Sequence, residues 1–153
     1  MLLTTTLGEK VVSKASAETL GSVDGVVIDA ANRKITGLRL GKGRKAKIVP
    51  WDTVSGVGTA AVIVEEDDAL RDPADDVEQR FASGDITLIG GRVLSDRGNS
   101  RGTVADVEYD GDTGALTSIH TSQSTTIDAD RLRAIGAYAW VVTAADDELG
   151  RAL

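Results

Sequence analysis

Apolar residues in this chain come in short bursts, divided by turns rich in Gly, Asp and Asn. Val11-Val12 follows the turn Gly8-Glu9-Lys10, and Val23, Val26 and Ile28 alternate imperfectly, the pattern of a partly buried strand. Ala30 to Arg33 reads as a turn, and Ile35, Leu38 and Leu40 as the return strand. Gly41-Lys42-Gly43-Arg44-Lys45 is a hairpin loop whose two glycines can take positive φ. Ile48-Val49 is the next strand. Pro50-Trp51-Asp52 ends it, because proline cannot donate to a central ladder. Val54, Gly58 and Ala61 to Val64 close the unit.

The same pattern recurs. Gly21 to Asp29 aligns with Gly102 to Asp110 at an offset of 81, which holds at Ile35/Leu116 and Leu38/Ile119. From Asp52/Asp130 to Val64/Val142 the offset is 78, so the second copy is three residues shorter in one loop. Its strands are expected at Arg92-Val93-Leu94, Gly102 to Asp110, Ala115 to Thr121, Thr125 to Ile127 and Tyr138 to Thr143. An internal repeat of short strands at regular turn spacing predicts an all-β chain of two small barrels. Each copy spans roughly 65–70 residues, a size at which one core is marginally stable alone. Pro50-Trp51 in the first copy is replaced by Asp128-Ala129 in the second.

Only the bridge between the copies reads as helix. Asp72 is a suitable N-cap, Pro73 a suitable first residue and Gly84 a suitable stop, predicting a helix over 72–82. Val77 and Phe81 make its narrow apolar stripe, and Asp75, Asp76 and Glu78 sit at the positive end of its dipole. Residues 146–153 read as a frayed tail or a single helical turn.

Charge changes the picture of what the chain can bind. The net charge is −7, yet residues 1–66 carry +2, residues 67–88 carry −5 and residues 89–153 carry −4. An acidic second half is a poor platform for polyanions, so any nucleic-acid contact falls to the first copy. The chain has no cysteine, which rules out disulfides and thiolate metal sites. No apolar run approaches the ~20 residues of a membrane-spanning helix. Met1 to Thr6 lacks the basic and apolar regions of a signal peptide, so the expected location is cytoplasmic.

The first copy resembles the PRC-barrel family. The residues that carry the resemblance are Gly8 to Val11, Gly21 to Asp29, Ile35 to Leu38, Val49-Pro50-Trp51 to Val54, and Gly58 to Val64. The Val-Pro-Trp element is the most specific of them. The second copy matches in framework over 88–143 but lacks Pro-Trp and the Gly-Leu pair, with Ser118-Ile119 in its place. The resemblance implies a small all-β barrel of about six strands. In that family the barrel generally docks proteins or helps assemble complexes, as in the H subunit of photosynthetic reaction centres and a ribosome maturation factor.

Two features are candidates for binding. Trp51 after Pro50 is either an exposed docking anchor, as tryptophan often is at interfaces, or a lid over the barrel end with Pro50 fixing the bend. Lys42, Arg44, Lys45 and Lys47 put four cations within six residues, suited to phosphates or an acidic partner. They could equally be a solvated tip, or dock on the chain's own acidic 65–78 stretch.

No other cluster completes a site. Asp106, Glu108, Asp110 and Asp112 resemble the start of a calcium loop, but position twelve is Thr117, so a hairpin turn is expected. His120 is the sole histidine, without the partners of a metal site or a nucleophile pair.

The expectation is therefore two PRC-type barrels of about six short strands each, over 1–66 and 88–145. An acidic linker with a short helix spans 67–87, and a tail spans 146–153. No catalytic residues, metal or cofactor are expected. The expected role is a non-enzymatic protein-interaction, scaffold or assembly module that binds a protein partner through Pro50, Trp51, Lys42, Arg44, Lys45 and Lys47. Homodimerisation is a further expectation. The alternative is an RNA- or ribosome-linked maturation factor, binding a ribosomal protein or RNA through the basic hairpin.

Overall fold

The computed structural model describes residues 1–145; the expected tail at 146–153 lies outside the described residues. The chain is mostly β, as the alternation predicts. The first half contains β1 (Lys10–Ser13), β2 (Thr19–Ser22), β3 (Gly25–Asp29), β4 (Lys34–Leu40), β5 (Lys47–Pro50), β6 (Val54–Val57) and β7 (Ala61–Val64). The second contains β8 (Arg92–Ser95), β9 (Ser100–Tyr109), β10 (Leu116–Thr121), β11 (Thr126–Asp128), β12 (Leu132–Ile135) and β13 (Trp140–Val142). A short helix, α1 (Leu3–Thr6), precedes β1, and α2 (Asp76–Ala82) lies between the halves.

In the first half one sheet runs β2-β1-β7-β6 and another β3-β4-β5. The second half repeats this order as one sheet, β11-β10-β9-β8-β13-β12. The difference is one junction: β9 runs unbroken where the first half divides into β2 and β3. That is why seven strands appear where about six were expected.

The repeat extends to single hydrogen bonds. Gly8 N–H donates to Val23 and Gly90 N–H to Val104; Lys14 donates to Val64 and Asp96 to Val142; Glu65 donates to Thr53 and Thr143 to Arg131. The first β-turns also match. Asp29 accepts from the N–H groups of Ala31 and Asn32, and Asp110 from those of Asp112 and Thr113. Both are Asx turns, which use a short carboxylate to mimic a backbone turn. Their hydrogen bonds hold both acids below the usual Asp range; for Asp29 the Asn32 side chain contributes most.

Two sequence expectations shift. The helix begins at Asp76, not Asp72, and its N-cap is Asp75, whose carboxylate accepts from Glu78 N–H at 2.8 Å. The reason lies upstream. Arg71 exchanges backbone bonds with Ile48, N to O at 2.9 and 2.7 Å, and so keeps the chain extended along β5. Secondly, the stripe is half buried: Phe81 packs inside while Val77 is 48% exposed.

Glu78 anchors the helix. It is buried and meets the Arg71 guanidinium through two bonds of 2.6 and 2.7 Å, while also accepting from Ala74 N–H. The Arg71 bonds hold its carboxyl below the ordinary value of 4.5, against the opposing effect of burial. A carboxylate with a lowered folded pKa stabilises the fold fully above its unfolded pKa and loses that contribution as pH falls through the folded one. Glu78→Gln is therefore expected to cost about 1–3 kcal/mol at neutral pH. It should flatten the acid limb of a stability–pH curve below about pH 4.5, measured by urea melts at stepped pH.

The buried apolar side chains of both halves form one contiguous cluster, from Leu3 and Val11 through Trp51 and Tyr109 to Trp140 and Val142. Its joint has a pseudo-twofold character. Ile35 N–H donates to Gly114 and Leu116 N–H to Arg33, both at 2.8 Å, with Lys34 opposite Ala115. At an offset of 81 these are the same positions in the two copies, so the contact is self-complementary, as across a true twofold axis.

Candidate functional site

The two parts of the expected binding face lie at opposite ends of one strand. β4 and β5 pair antiparallel from Gly37↔Pro50 to Leu40↔Lys47. The loop between them closes with a 3₁₀ turn, Gly43–Lys45, with Gly41 and Gly43 at φ +74° and +68°. Lys42, Arg44 and Lys45 are exposed on this turn. Among the described residues none of the three has an ion-pair partner; the salt bridges there are Lys14–Glu65, Lys47–Asp72 and Arg71–Glu78. Lys47 is thus drawn into the acidic linker by Asp72, the self-docking weighed for this loop, and it faces away from the other cations' role.

Pro50 and Trp51 sit at the far end of β5, roughly 10 and 13 Å from Lys47 at about 3.3 Å per strand residue. Trp51 begins a second 3₁₀ turn, Trp51–Thr53, and is only 8% exposed. Its ring meets Tyr109 of the second half edge-on, with centroids 6.2 Å apart at 85°. Its indole N–H donates to the Asp112 carbonyl at 3.3 Å. The exposed-anchor reading of Trp51 is therefore corrected: the side chain docks, but onto the second half of its own chain. Pro50 is half-buried beside it. In the second half Ala129 begins the equivalent 3₁₀ turn and is also buried.

The remaining candidates resolve into structural contacts. Asp106 accepts from Thr4 N–H at 3.1 Å and from Thr4 Oγ1 at 2.6 Å. Asp110 is engaged by its own turn, so the calcium-like run is spread over two tasks. His120 Nδ1 lies 3.2 Å from Thr126 Oγ1 across the β10–β11 pair. No group of three His, Cys, Asp or Glu among the described residues is placed to hold a metal ion. No helix among them is long and apolar enough to cross a membrane.

Two features carried little sequence signal. The N-terminal segment packs on β9: Met1 exchanges backbone bonds of 2.9 Å with Tyr109, Leu2 bridges Glu108, and Thr6 Oγ1 meets the Tyr109 hydroxyl. Burial pushes the Tyr109 phenol up, the Thr6 bond acting against it. The other is Tyr138, 72% exposed at the β12–β13 turn, with the Arg92 guanidinium 4.4 Å over its ring. Both depend on contacts between distant segments, which no local pattern encodes.

The family model of the PRC-barrel domain matches residues 1–71. The match runs five residues past the expected boundary at 66 and ends at Arg71, the residue that pairs with Ile48. No curated protein matches the chain.

Proposed function

We propose, from the match of residues 1–71 to the PRC-barrel domain, that the chain is a non-enzymatic docking or assembly module that binds an acidic protein surface. The observation that carries the reading is the β4–β5 turn, where Lys42, Arg44 and Lys45 stand exposed and without ion-pair partners among the described residues. Cations held on a rigid hairpin cost little to desolvate at a rim and raise association rates toward an acidic partner. We assign the second half a supporting role as a tandem copy of the barrel over 88–145, joined by the linker at 67–87. Its contact with the first half is self-complementary, as the contact between two subunits of a dimer would be.

The same cations give the second reading, a ribosome-linked role in the cytoplasm with contact to RNA or a ribosomal protein. Three phosphate contacts would make the affinity fall about 2–3 log units per tenfold rise in salt.

The triple variant Lys42→Glu, Arg44→Glu, Lys45→Glu tests both. Capture of the native partner is expected to fall at least about tenfold. The melt should stay within about 0.5 kcal/mol, because all three side chains are at the surface. Undiminished capture would overturn the assignment of this turn. Sedimentation of the native protein through a sucrose gradient separates the readings: co-migration with a ribosomal subunit that RNase abolishes supports the second, and a complex indifferent to RNase supports the first.

A further inference from the structure

The second half opens a pocket of about 320 Å³ beside the β12–β13 turn. Thr87, Gly91, Arg92, Thr103, Tyr138 and Trp140 line it. Among the described residues no Asp or Glu does, and Arg92 is its single charged group. Trp140 forms the buried wall and gives its indole N–H to the Thr87 carbonyl at 3.0 Å. Arg92 and Tyr138 are exposed, with the guanidinium 4.4 Å over the phenol ring. Arg92 has no ion-pair partner among the described residues, and the hydroxyls of Thr87, Thr103 and Tyr138 have no hydrogen-bond partner among them. One free cation and three free hydroxyls thus border one opening.

The internal repeat shows how the pocket arises. Lys10 faces Ser22 on the β1–β2 ladder as Arg92 faces Thr103 on the β8–β9 ladder. In the first half the cation closes onto the hydroxyl: Lys10 Nζ donates to Ser22 Oγ at 3.3 Å. In the second half Arg92 stacks on Tyr138 instead and leaves Thr103 Oγ1 free. At an offset of 78 the counterpart of Tyr138 is Ala60, which offers no ring. The opened pair therefore belongs to the second copy. The pocket is also close to the cationic β4–β5 turn. The Lys42 stem passes 3.5 Å from where a Cβ would stand on Gly84. Thr87 follows three residues on, at most about 11 Å along the chain. Arg80 reaches the same region, 3.7 Å from a Cβ on Gly136, and shares its surface with Asp76 and Asp85. Arg80 offsets one of those two acids, and Lys42, Arg44, Lys45 and Arg92 outnumber the other. Asp24, beside the turn, is matched by Arg39.

We propose that this pocket receives a carboxylate side chain of an acidic protein partner, as a second anchor beside the β4–β5 turn. Arg92 takes the carboxylate in a charge-assisted bond, and the Thr87 and Thr103 hydroxyls donate to it. The Tyr138 ring covers the aliphatic stem that carries it. Tyrosine and arginine are the residue types enriched where interface energy concentrates. A nucleic-acid strand fits less well. Single strands stack on successive aromatic side chains, and among the described residues Tyr138 is the one aromatic that is exposed. The inference rests on the docking-module reading and names a second contact for it.

The test uses the full chain, labelled with ¹⁵N and titrated with capped octaglutamate and capped octalysine. Octaglutamate is expected to shift amides at Thr87, Arg92, Thr103 and Tyr138 together with those at residues 42–45. It should bind at least about tenfold tighter than octalysine. Arg92→Gln should weaken octaglutamate binding about fivefold and Thr103→Val about twofold, with unchanged melts because both side chains are exposed. Arg97→Gln removes an exposed cation beyond the far end of β8 and should change the affinity less than about twofold. Shifts confined to residues 42–45, equal losses in Arg92→Gln and Arg97→Gln, or tighter binding of octauridylate at the same amides would overturn the proposal. If Arg92→Gln binds octaglutamate as the unaltered chain does while the Lys42, Arg44, Lys45 variant loses it, the docking-module reading stands and this one falls. Shifts at Arg92 and Tyr138 without any at 42–45 would uphold the pocket and overturn the assignment of the turn.

Discussion

Trp51→Ala is expected to destabilise the whole chain by about 3–5 kcal/mol, the range for deleting a large buried aromatic side chain. For a chain of about 150 residues that lowers Tm by roughly 10 °C. Three losses combine: the buried ring area, the edge-on pair with Tyr109, and the indole bond to the Asp112 carbonyl. The aromatic pair alone is worth about 0.5–1.5 kcal/mol beyond its area. The chain reports on itself, because Trp140, the second of its two tryptophans, is buried in the other half. Trp140 fluorescence should lose its folded signal together with the far-UV circular dichroism, both at the lower temperature. A Trp140 transition left at the wild-type temperature would show that the halves melt separately and that Trp51 does not couple them. Trp51→Phe keeps most of the area and should recover more than half of the loss.

Gly114→Val should be nearly as damaging, at about 2–5 kcal/mol. Gly114 sits at φ +79°, where a β-branched residue is a genuine outlier, and backbone strain of this kind costs about 1–3 kcal/mol. A Cβ there would also lie 2.9 Å from the Ile35 carbonyl and 3.0 Å from the Trp51 ring. The carbonyl of Gly114 is one half of the pseudo-twofold bond pair, so the clash opens the joint itself. Urea unfolding measures the loss. A drop below about 1 kcal/mol would mean that the joint relaxes at little cost and that the two halves are loosely held.

How much could be read in advance follows from the range over which each contact acts. The short strands were legible because their apolar residues alternate or cluster, and burial on one face of a sheet imposes that pattern directly. The repeat was legible for the same reason, twice over. Its first strand, expected at Arg92 to Leu94, needed the structure for its register: Ser13 and Ser95, both buried and bonded to the following loop, correspond at an offset of 82, one more than the strands after them. The cationic turn was legible as composition, yet Lys47 could not be separated from its neighbours until Asp72 was seen beside it. The helix start was misplaced because Asp72-Pro73 and Asp75 to Glu78 are both good caps. The Arg71–Ile48 pairing, across more than twenty residues, chose between them.

Trp51 marks the boundary most sharply. Local sequence identified the Val-Pro-Trp element, ended β5 there and made the tryptophan a docking residue. Which surface it docks on is a matter of what the second copy brings within 6.2 Å, and that depends on how two distant Asx turns and one backbone bridge close against each other. Strand identity, turn chemistry and charge are properties of neighbouring residues, so the chain alone declares them. The joint, the buried state of Trp51 and the seat of the N-terminal segment arise from packing between segments roughly 60 to 110 residues apart, where shape and unpaired backbone groups select the contact.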